Sequence, residues 1–133
     1  MNHDSEYEYT YKFCKEEIWN MGYVLAAIIY AGLSQFKNSY VTSYPSKFNS
    51  CEEWEEALDK MIWAFGEIKN EYDNLPSSKK IMSLIDIRNS DRVSFNEARL
   101  AVKAEDEEYR NKIKEGTKLF IDNIDSIWDW GDI

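Results

Sequence analysis

The stretch that decides the fold is SCEEWEEALDKMIWAFGEIK, residues 50–69. Ser50 is a good N-cap residue and Glu53 follows three positions later, a spacing typical of a capping box at a helix start. The large apolar residues that follow recur every three or four positions, as in an amphipathic helix: Trp54, Leu58, Met61, Ile62, Phe65 and Ile68. The segment therefore predicts a helix with one buried face, which ends at Asn74 and Pro76.

Long helices are also predicted on both sides of this stretch. Before it, residues from about 15 to 37 keep apolar side chains at helical spacing on most sides of the helix. After it, Ser94 and Glu97 form a second capping-box spacing that opens a last long helix. The charged run at 105–108 predicts a solvated turn or a break in that helix. These patterns predict an all-α fold, a compact bundle of three to five helices.

The connecting segments complete the organisation. Residues 1–13 are polar and tyrosine-rich and predict a loose arm, which leaves 14–133 as a single helical domain. Residues 38–50 form a connector in which Tyr44-Pro45 favours an extended turn. Residues 77–93 fit either a short helix or a loop, with a turn at 89–91.

Charge and composition exclude several classes of function. The chain has 133 residues with 25 acidic and 16 basic side chains, a net charge of -9, which argues against binding to duplex nucleic acid. The longest apolar stretch, 22–33, is too short to span a bilayer, so no membrane association is expected. Cys14, Cys51 and the only histidine, His3, match no zinc spacing. The sequence therefore predicts a reduced, intracellular protein with no metal and no cofactor.

Catalytic motifs are weak, and no catalytic residue is predicted. With one histidine near the N-terminus, a nucleophilic triad has no credible base. Glu52, Glu53 and Glu56 share one helical face and could hold Mg²⁺. Their spacing resembles the first half of the all-α nucleotide pyrophosphatases, although the second half of that motif is missing. The alternative is a charged first turn that suits the positive helix end.

The arginines are concentrated in one segment of this acidic chain. All four lie within 23 residues of each other: Arg88, Arg92, Arg99 and Arg110. Arg92 and Arg99 share a helical face if the last helix starts early enough. Such a group predicts a site for phosphate or for a carboxylate-bearing partner. The alternative is that the arginines pair with the acidic run at 105–108 or with a second subunit.

The connector between the first two long helices carries aromatic rings beside a cation. Tyr40, Tyr44 and Lys47 are expected to contribute to a ligand site, with Phe48 next to them, because nucleotide bases stack well on flat rings. The alternative is that these rings cover the edge of the core. Together with Arg88, Arg92 and Arg99 they form the predicted ligand-binding set.

Three stretches resemble a family of small phage-encoded proteins. They are the first helix, EIWNMGYVLAAIIYAGLSQFK at 17–37, then Tyr44-Pro45 with residues 50–68, and KEGTKLFIDNIDSIWD at 114–129. The shared features are a Tyr-Pro loop, a Trp-x-x-x-Leu-Asp-x-Met-Ile helix and a C-terminal Gly-x-x-x-Phe helix ending in Trp. The resemblance implies a viral origin and expression in the cytoplasm of an infected bacterium. It implies no reaction, and the matched residues are mostly apolar.

The functional expectation is a non-catalytic anti-defence protein. The leading hypothesis is a sponge that sequesters a cyclic nucleotide immune signal, in the manner of anti-CBASS proteins, with rings and arginines around a small nucleotide ligand. The alternatives are an acidic protein that blocks a host or defence protein by mimicking nucleic acid, and a Mg²⁺-dependent pyrophosphatase. A homo-oligomer, dimer or tetramer, is expected because the first helix is apolar on most sides.

Overall fold

The computed structural model describes residues 12–40 and 44–127, without the side chain of Tyr40. This part of the chain contains no strand, and the predicted all-α class is confirmed. The described residues form three long helices and three shorter ones, followed by a 3₁₀ turn at Ile124–Ser126. The helices are α1 (Lys15–Trp19), α2 (Met21–Tyr40), α3 (Cys51–Lys69), α4 (Pro76–Lys79), α5 (Ile81–Ser90) and α6 (Arg92–Asn123).

The central element is α3, the helix predicted from the deciding stretch. Helices α2 and α6 each run antiparallel to it on different sides, and their backbones make no contact with each other. Leu58 and Met61 are completely buried, and Trp54 is 2% exposed. Ser50 Oγ accepts a hydrogen bond from the Glu53 amide at 3.2 Å, which confirms the predicted cap. The helix ends at Lys69, earlier than Asn74 and Pro76 had indicated.

Glycine allows α3 and α6 to approach closely. A Cβ built on Gly116 would lie 2.4 Å from the Lys60 carbonyl oxygen and 2.5 Å from the Ala64 Cβ. No real side chain tolerates such distances, so the two backbones meet where only hydrogen fits. This close approach is the packing reason for the Gly-x-x-x-Phe pattern in the last helix.

The last helix differs from the sequence prediction in two ways. Its N-cap is Asp91, whose Oδ1 accepts from the Val93 amide at 3.0 Å, and not Ser94. The break predicted at 105–108 is wrong, because α6 runs unbroken from Arg92 to Asn123. Val102 and Tyr109 stay in phase on the buried face through the charged run, so the acidic side chains need only point outward.

The remaining segments were less predictable. The first helix is interrupted at Asn20, whose side chain donates to the Glu16 carbonyl oxygen and ends α1. Residues 76–90 form α4 and α5, and α5 packs only against α4 and α6 within the described chain. Most of the predicted arm, 1–11, lies outside the described residues. No helix in the described ranges is long and apolar enough to cross a membrane.

Candidate functional site

The arginines of the predicted site lie together at one end of the molecule. Helix α5 and the first turns of α6 form a helical hairpin, residues 81–104, that extends past the end of α3. Arg88 is in the last turn of α5, Arg92 begins α6, and Arg99 follows two turns later. All three side chains are exposed. The hairpin therefore gathers this half of the predicted ligand-binding set.

These arginines have no partner in the described part of the chain. Neither they nor Arg110 make a hydrogen bond or an ion pair within residues 12–40 and 44–127. The acidic run pairs with lysines instead: Lys80 Nζ lies 2.8 Å from Glu105 Oε2, and Lys112 Nζ lies 3.5 Å from Glu108 Oε1. The hypothesis that the arginines pair with this run is wrong within the chain. Their charge is free for an anionic group from outside.

Apolar side chains stand directly beside the arginines on α6. Val93 is 68% exposed and Leu100 is 56% exposed. Each residue of a helix advances by about 100°, so these two side chains point away from buried Val102 by about half a turn. Arg92 and Arg99 occupy the strip next to them. An apolar strip on the side opposite the core is not explained by folding of the single chain.

Helix α5 also carries exposed apolar side chains on this hairpin. Leu84 and Ile87 are half-buried, whereas Met82 is 67% exposed and Ile85 is 41% exposed. We call the exposed residues of the two helices the hairpin surface: Ile81, Met82, Ile85, Arg88, Arg92, Val93, Arg99 and Leu100. The sequence pattern missed its apolar half. The available signal was that Val93 and Leu100, seven residues apart, are out of phase with the buried face of α6.

The tyrosine connector lies at the other end of α6. Lys47 Nζ donates to the Asp122 carbonyl oxygen at 3.0 Å, which holds the connector on the end of that helix. Tyr44 is exposed and lines a shallow cleft with Pro45 and Ser126. Phe48 packs on Trp54 with ring centroids 5.0 Å apart, so this ring covers the core edge. The side chain of Tyr40, the remaining predicted residue, lies outside the described residues.

The two halves of the predicted ligand site are far apart in one chain. Arg99 and Asp122 belong to the same unbroken helix, and the 23 helical steps from one to the other span about 35 Å. Lys47 is bound to Asp122, so a small ligand on the arginines of one chain does not reach the tyrosine connector of that chain. The structure brings together Arg88, Arg92 and Arg99, and separately Tyr44 and Lys47.

The acidic group at the start of α3 has a structural role. Glu53 Oε2 accepts from the amide of Asn49 at 2.9 Å, and not from that of the N-cap residue Ser50, so the predicted capping box forms only in its Ser50 half. Among the described residues, no group of three or more His, Cys, Asp or Glu side chains is arranged to hold a metal ion. The geometry thus favours the interpretation that these glutamates form a charged first turn of the helix. Metal binding by Glu52, Glu53 and Glu56 stays a prediction.

A buried polar cluster, which the sequence pattern missed, joins α3 to α6. The carboxylate of Glu67, 7% exposed, accepts from Tyr109 Oη at 2.9 Å and from Asn74 Nδ2 at 2.8 Å. Burial, followed by the bond to Glu67, raises the pKa of Tyr109 well above its usual range. The backbone between Glu67 and Asn74 is left-handed at Glu71 and Tyr72, with φ of 56° and 60°. The cluster closes the turn that leads into the hairpin.

No protein-family model, curated protein or solved structure matches this chain. The surfaces of the molecule itself are therefore the features that indicate a function.

Proposed function

We propose that this chain is a non-catalytic binding protein that holds a partner protein on its hairpin surface. The partner presents carboxylates around an apolar patch. The observation that supports this proposal best is the strip of exposed Val93 and Leu100 next to unpaired Arg92 and Arg99. The chain has 25 acidic side chains, and these arginines form no ion pair with any of them in the described residues. They are therefore available to bind a carboxylate of a partner protein.

The shape of the hairpin favours a protein over a small molecule. Two packed helices present a convex surface, whereas small ligands bind in concave pockets that bury most of their area. Five clefts in residues 12–40 and 44–127 are lined by other side chains, and none of the five includes Arg88, Arg92 or Arg99. Arginine and methionine with a central apolar strip are instead typical of protein interfaces.

The resemblance to small phage-encoded proteins supports a partner in the infected bacterium. Under this proposal the chain acts in the host cytoplasm and blocks a host or defence protein. We assign the contact to the hairpin surface and not to the acidic run at 105–108, because two carboxylates of that run are already bound within the chain. Glu105 holds Lys80, and Asp106 Oδ1 accepts from the Ser77 amide at 2.9 Å.

The nucleotide sponge is the second candidate. Unpaired arginines at one end and the exposed Tyr44 ring beside Lys47 at the other are the groups that a cyclic nucleotide would use. Because one chain keeps these groups about 35 Å apart, a ligand that touches both needs two chains. This candidate therefore requires an oligomer, and the protein-binding candidate does not.

The test of the proposed function compares two charge reversals on α6. Arg92→Glu/Arg99→Glu alters the hairpin surface, and Lys112→Glu/Lys114→Glu makes the same change of charge on exposed positions outside it. Proteins captured by the tagged wild-type chain from bacterial lysate are purified, and their affinity for all three chains is measured by calorimetry. We expect a partner whose affinity falls about 100-fold with the hairpin variant, since interface arginines each cost about 1–2 kcal/mol. The control should bind within a few-fold of the wild type.

The sponge is distinguished with purified protein and cyclic di- and trinucleotides. A nucleotide that raises the melting temperature of the wild type, but not of Arg92→Ala/Arg99→Ala, would favour the sponge and overturn the protein partner. Equal loss of affinity with both charge reversals would also contradict the hairpin assignment, because it would indicate a general effect of net charge.

A further inference from the structure

One cleft of the molecule is lined by positive charge and by no acidic side chain. It lies between the turn that follows α3 and the middle of α6, and it has a volume of about 270 Å³. Of the five clefts in residues 12–40 and 44–127, the other four include carboxylates or no charged residue at all. We call it the Arg110 cleft, and its lining residues are Tyr72, Arg110, Ile113 and Lys114.

Helical spacing places the two cations of this cleft side by side. Arg110 and Lys114 are four residues apart in α6, and residues at this spacing are neighbours on one face of a helix. Asp106 and Glu107 come one turn before Arg110, but neither of them lines the cleft. The carboxylates of this stretch that pair with lysines lie about 120° or more round the helix from the middle of the pair: Glu105, Glu108 and Glu115. The cleft therefore stands on the basic side of the helix.

The polar side chains of the Arg110 cleft have hydrogen-bond donors that no described residue uses. The guanidinium of Arg110 and the ammonium of Lys114 form no ion pair and no hydrogen bond within the two described ranges. The Tyr72 hydroxyl has no hydrogen-bond partner there either. Ile113, which is 7% exposed, supplies the apolar part of the lining. Three groups with unused donors thus border one small cleft, in a chain with a net charge of -9.

Packing holds the tyrosine of the cleft in place. Tyr72 is half-buried and packs against the small core cluster of Ala64, Tyr109 and Ile113. Its backbone is left-handed, with φ of 60°, which is uncommon for a bulky residue. The turn and the core together fix the side chain at the edge of the cleft, so little freedom is lost when a ligand binds there.

We propose that the Arg110 cleft binds a small phosphate monoester. Such a phosphate carries a charge of about -1.5 to -2 at pH 7, which two cations match, whereas a single carboxylate would leave one cation unpaired. A guanidinium binds two phosphate oxygens through its planar fork, an ammonium acts as a point charge, and the Tyr72 hydroxyl donates a further bond. The cleft is near the lower end of the about 300–1,000 Å³ typical of small-molecule sites, so the ester has about the size of a sugar phosphate or a mononucleotide.

The first experiment measures binding by calorimetry, with AMP and ribose 5-phosphate as probes and adenosine and ribose as their unphosphorylated counterparts. The variants are Arg110→Gln/Lys114→Gln in the cleft and Lys112→Gln/Lys118→Gln, which removes the same charge from exposed positions of α6 outside it. We expect at least one phosphate to bind the wild type and the control alike. The cleft variant should bind it at least tenfold more weakly, with unchanged helical circular dichroism. Binding of neither phosphate, equal binding of the unphosphorylated compounds or equal loss in both variants would overturn the site.

The second experiment tests the tyrosine hydroxyl with the same probes. Tyr72→Phe keeps the ring that packs on the core and removes only the donor, so we expect the affinity for the phosphate to fall about tenfold. Tyr30→Phe is the matched control, because it removes another hydroxyl without a bond in the described chain and outside the cleft. Unchanged affinity of Tyr72→Phe would contradict the assigned bond.

The position of the ligand separates this site from the hairpin surface. Arg99 and Arg110 are eleven residues apart in α6, or about 16 Å along the helix. In a nuclear magnetic resonance titration with the two phosphates, we expect backbone amide shifts at 72 and 110–114 and not at 81–100. Arg92→Ala/Arg99→Ala should keep its affinity for the phosphate within a few-fold. Shifts confined to 81–100 would place the phosphate on the hairpin arginines and overturn the cleft, whereas failure of the protein partner would leave it intact.

Discussion

At the scale of single residues, Gly116 limits how closely α3 and α6 pack. Replacing it with alanine would place a methyl group 2.4 Å from the Lys60 carbonyl oxygen and 2.5 Å from the Ala64 Cβ. Both atoms belong to the central helix, so the methyl group is accommodated only by moving the helices apart. We expect Gly116→Ala to lower the free energy of unfolding by about 1–3 kcal/mol, measured by urea denaturation.

Gly22→Ala is the matched control for this substitution. A Cβ on Gly22 would meet nothing within 4 Å, and Gly22 also lies in a helix. Here alanine should leave stability unchanged or raise it by about 0.5–1 kcal/mol, because glycine is the poorer helix former. Equal effects of the two substitutions would show that helix propensity, and not the close crossing, decides the result.

Tyr109 and Glu67 offer a second test at this scale. Tyr109→Phe removes the hydroxyl that donates to Glu67 Oε1 at 2.9 Å and leaves the buried carboxylate with Asn74. We expect a loss of about 1.5–3 kcal/mol in the free energy of unfolding, since the acceptor is a carboxylate. Tyr30→Phe is the control, because the Tyr30 ring stacks under Lys69 and its hydroxyl has no bond in the described chain.

The dependence of stability on alkaline pH should separate these two variants further. The pKa of Tyr109 is raised in the folded protein, first by burial and then by its bond to Glu67. Above about pH 10 the unfolded chain releases this proton while the folded chain keeps it, so stability is lost as the pH rises. The wild type and Tyr30→Phe should show this loss, and Tyr109→Phe should show less of it. A loss of the same size in Tyr109→Phe would contradict the assignment.

At the scale of elements, sequence predicts helices well where capping and period agree. In α3, Ser50, Glu53 and a single apolar face all indicate one structure, and the helix begins where they predict. In α6 the charged run at 105–108 predicted a break that does not occur, because the packing of Val102, Tyr109 and Ile113 overrides local composition. The amino-acid sequence alone does not show which of these side chains pack against another helix.

The candidate site was predictable only in part, for the same reason. The concentration of arginines is visible in the sequence, and the structure gathers Arg88, Arg92 and Arg99 on one hairpin. The distance from them to Tyr44 depends on α6 being unbroken, which the sequence pattern did not indicate. Whether Val93 and Leu100 face the core or solvent depends on which side of α6 packs on its neighbours.

The start of α6 gives a prediction for the whole hairpin. Asp91 caps this helix through the Val93 amide and also accepts from Ser94 Oγ at 2.7 Å, and these bonds lower its pKa. The stabilisation is present above the unfolded pKa of about 3.9 and is lost as the pH falls through the folded value. We expect Asp91→Ala to have less helix than the wild type above about pH 4, where the wild-type carboxylate is charged, and this difference to shrink in acid. Asp91→Asn should keep the cap and lose less helix in acid than the wild type does. Circular dichroism between pH 2 and pH 7 measures both, and an unchanged acid response in Asp91→Asn would contradict the role of this carboxylate.

At the scale of the whole molecule, positive charge and low burial occur in the same segment of the chain. Residues 79–103 carry six lysines and arginines against three acidic side chains, although the whole chain has a net charge of -9. The same segment contains one buried residue, Val102, at its end, whereas α3 contains most of the core. The basic part of the molecule is therefore also a part with few buried apolar side chains.

This division predicts how backbone amides exchange with solvent. Helix α5 has no buried residue and, among the described residues, packs only on α4 and α6, so it can open without disturbing α3. We expect hydrogen exchange, followed by mass spectrometry, to be slowest in 54–68 and 109–120 and faster by at least tenfold in 81–100. Opening of the hairpin should follow Asp91→Ala and leave α3 protected, whereas Gly116→Ala should speed exchange in α3 and α6 together. Equal protection of the hairpin and α3 in the free protein would contradict this expectation and would mean that the hairpin surface is already covered. Self-association through the hairpin would then be tested before the search for a partner protein.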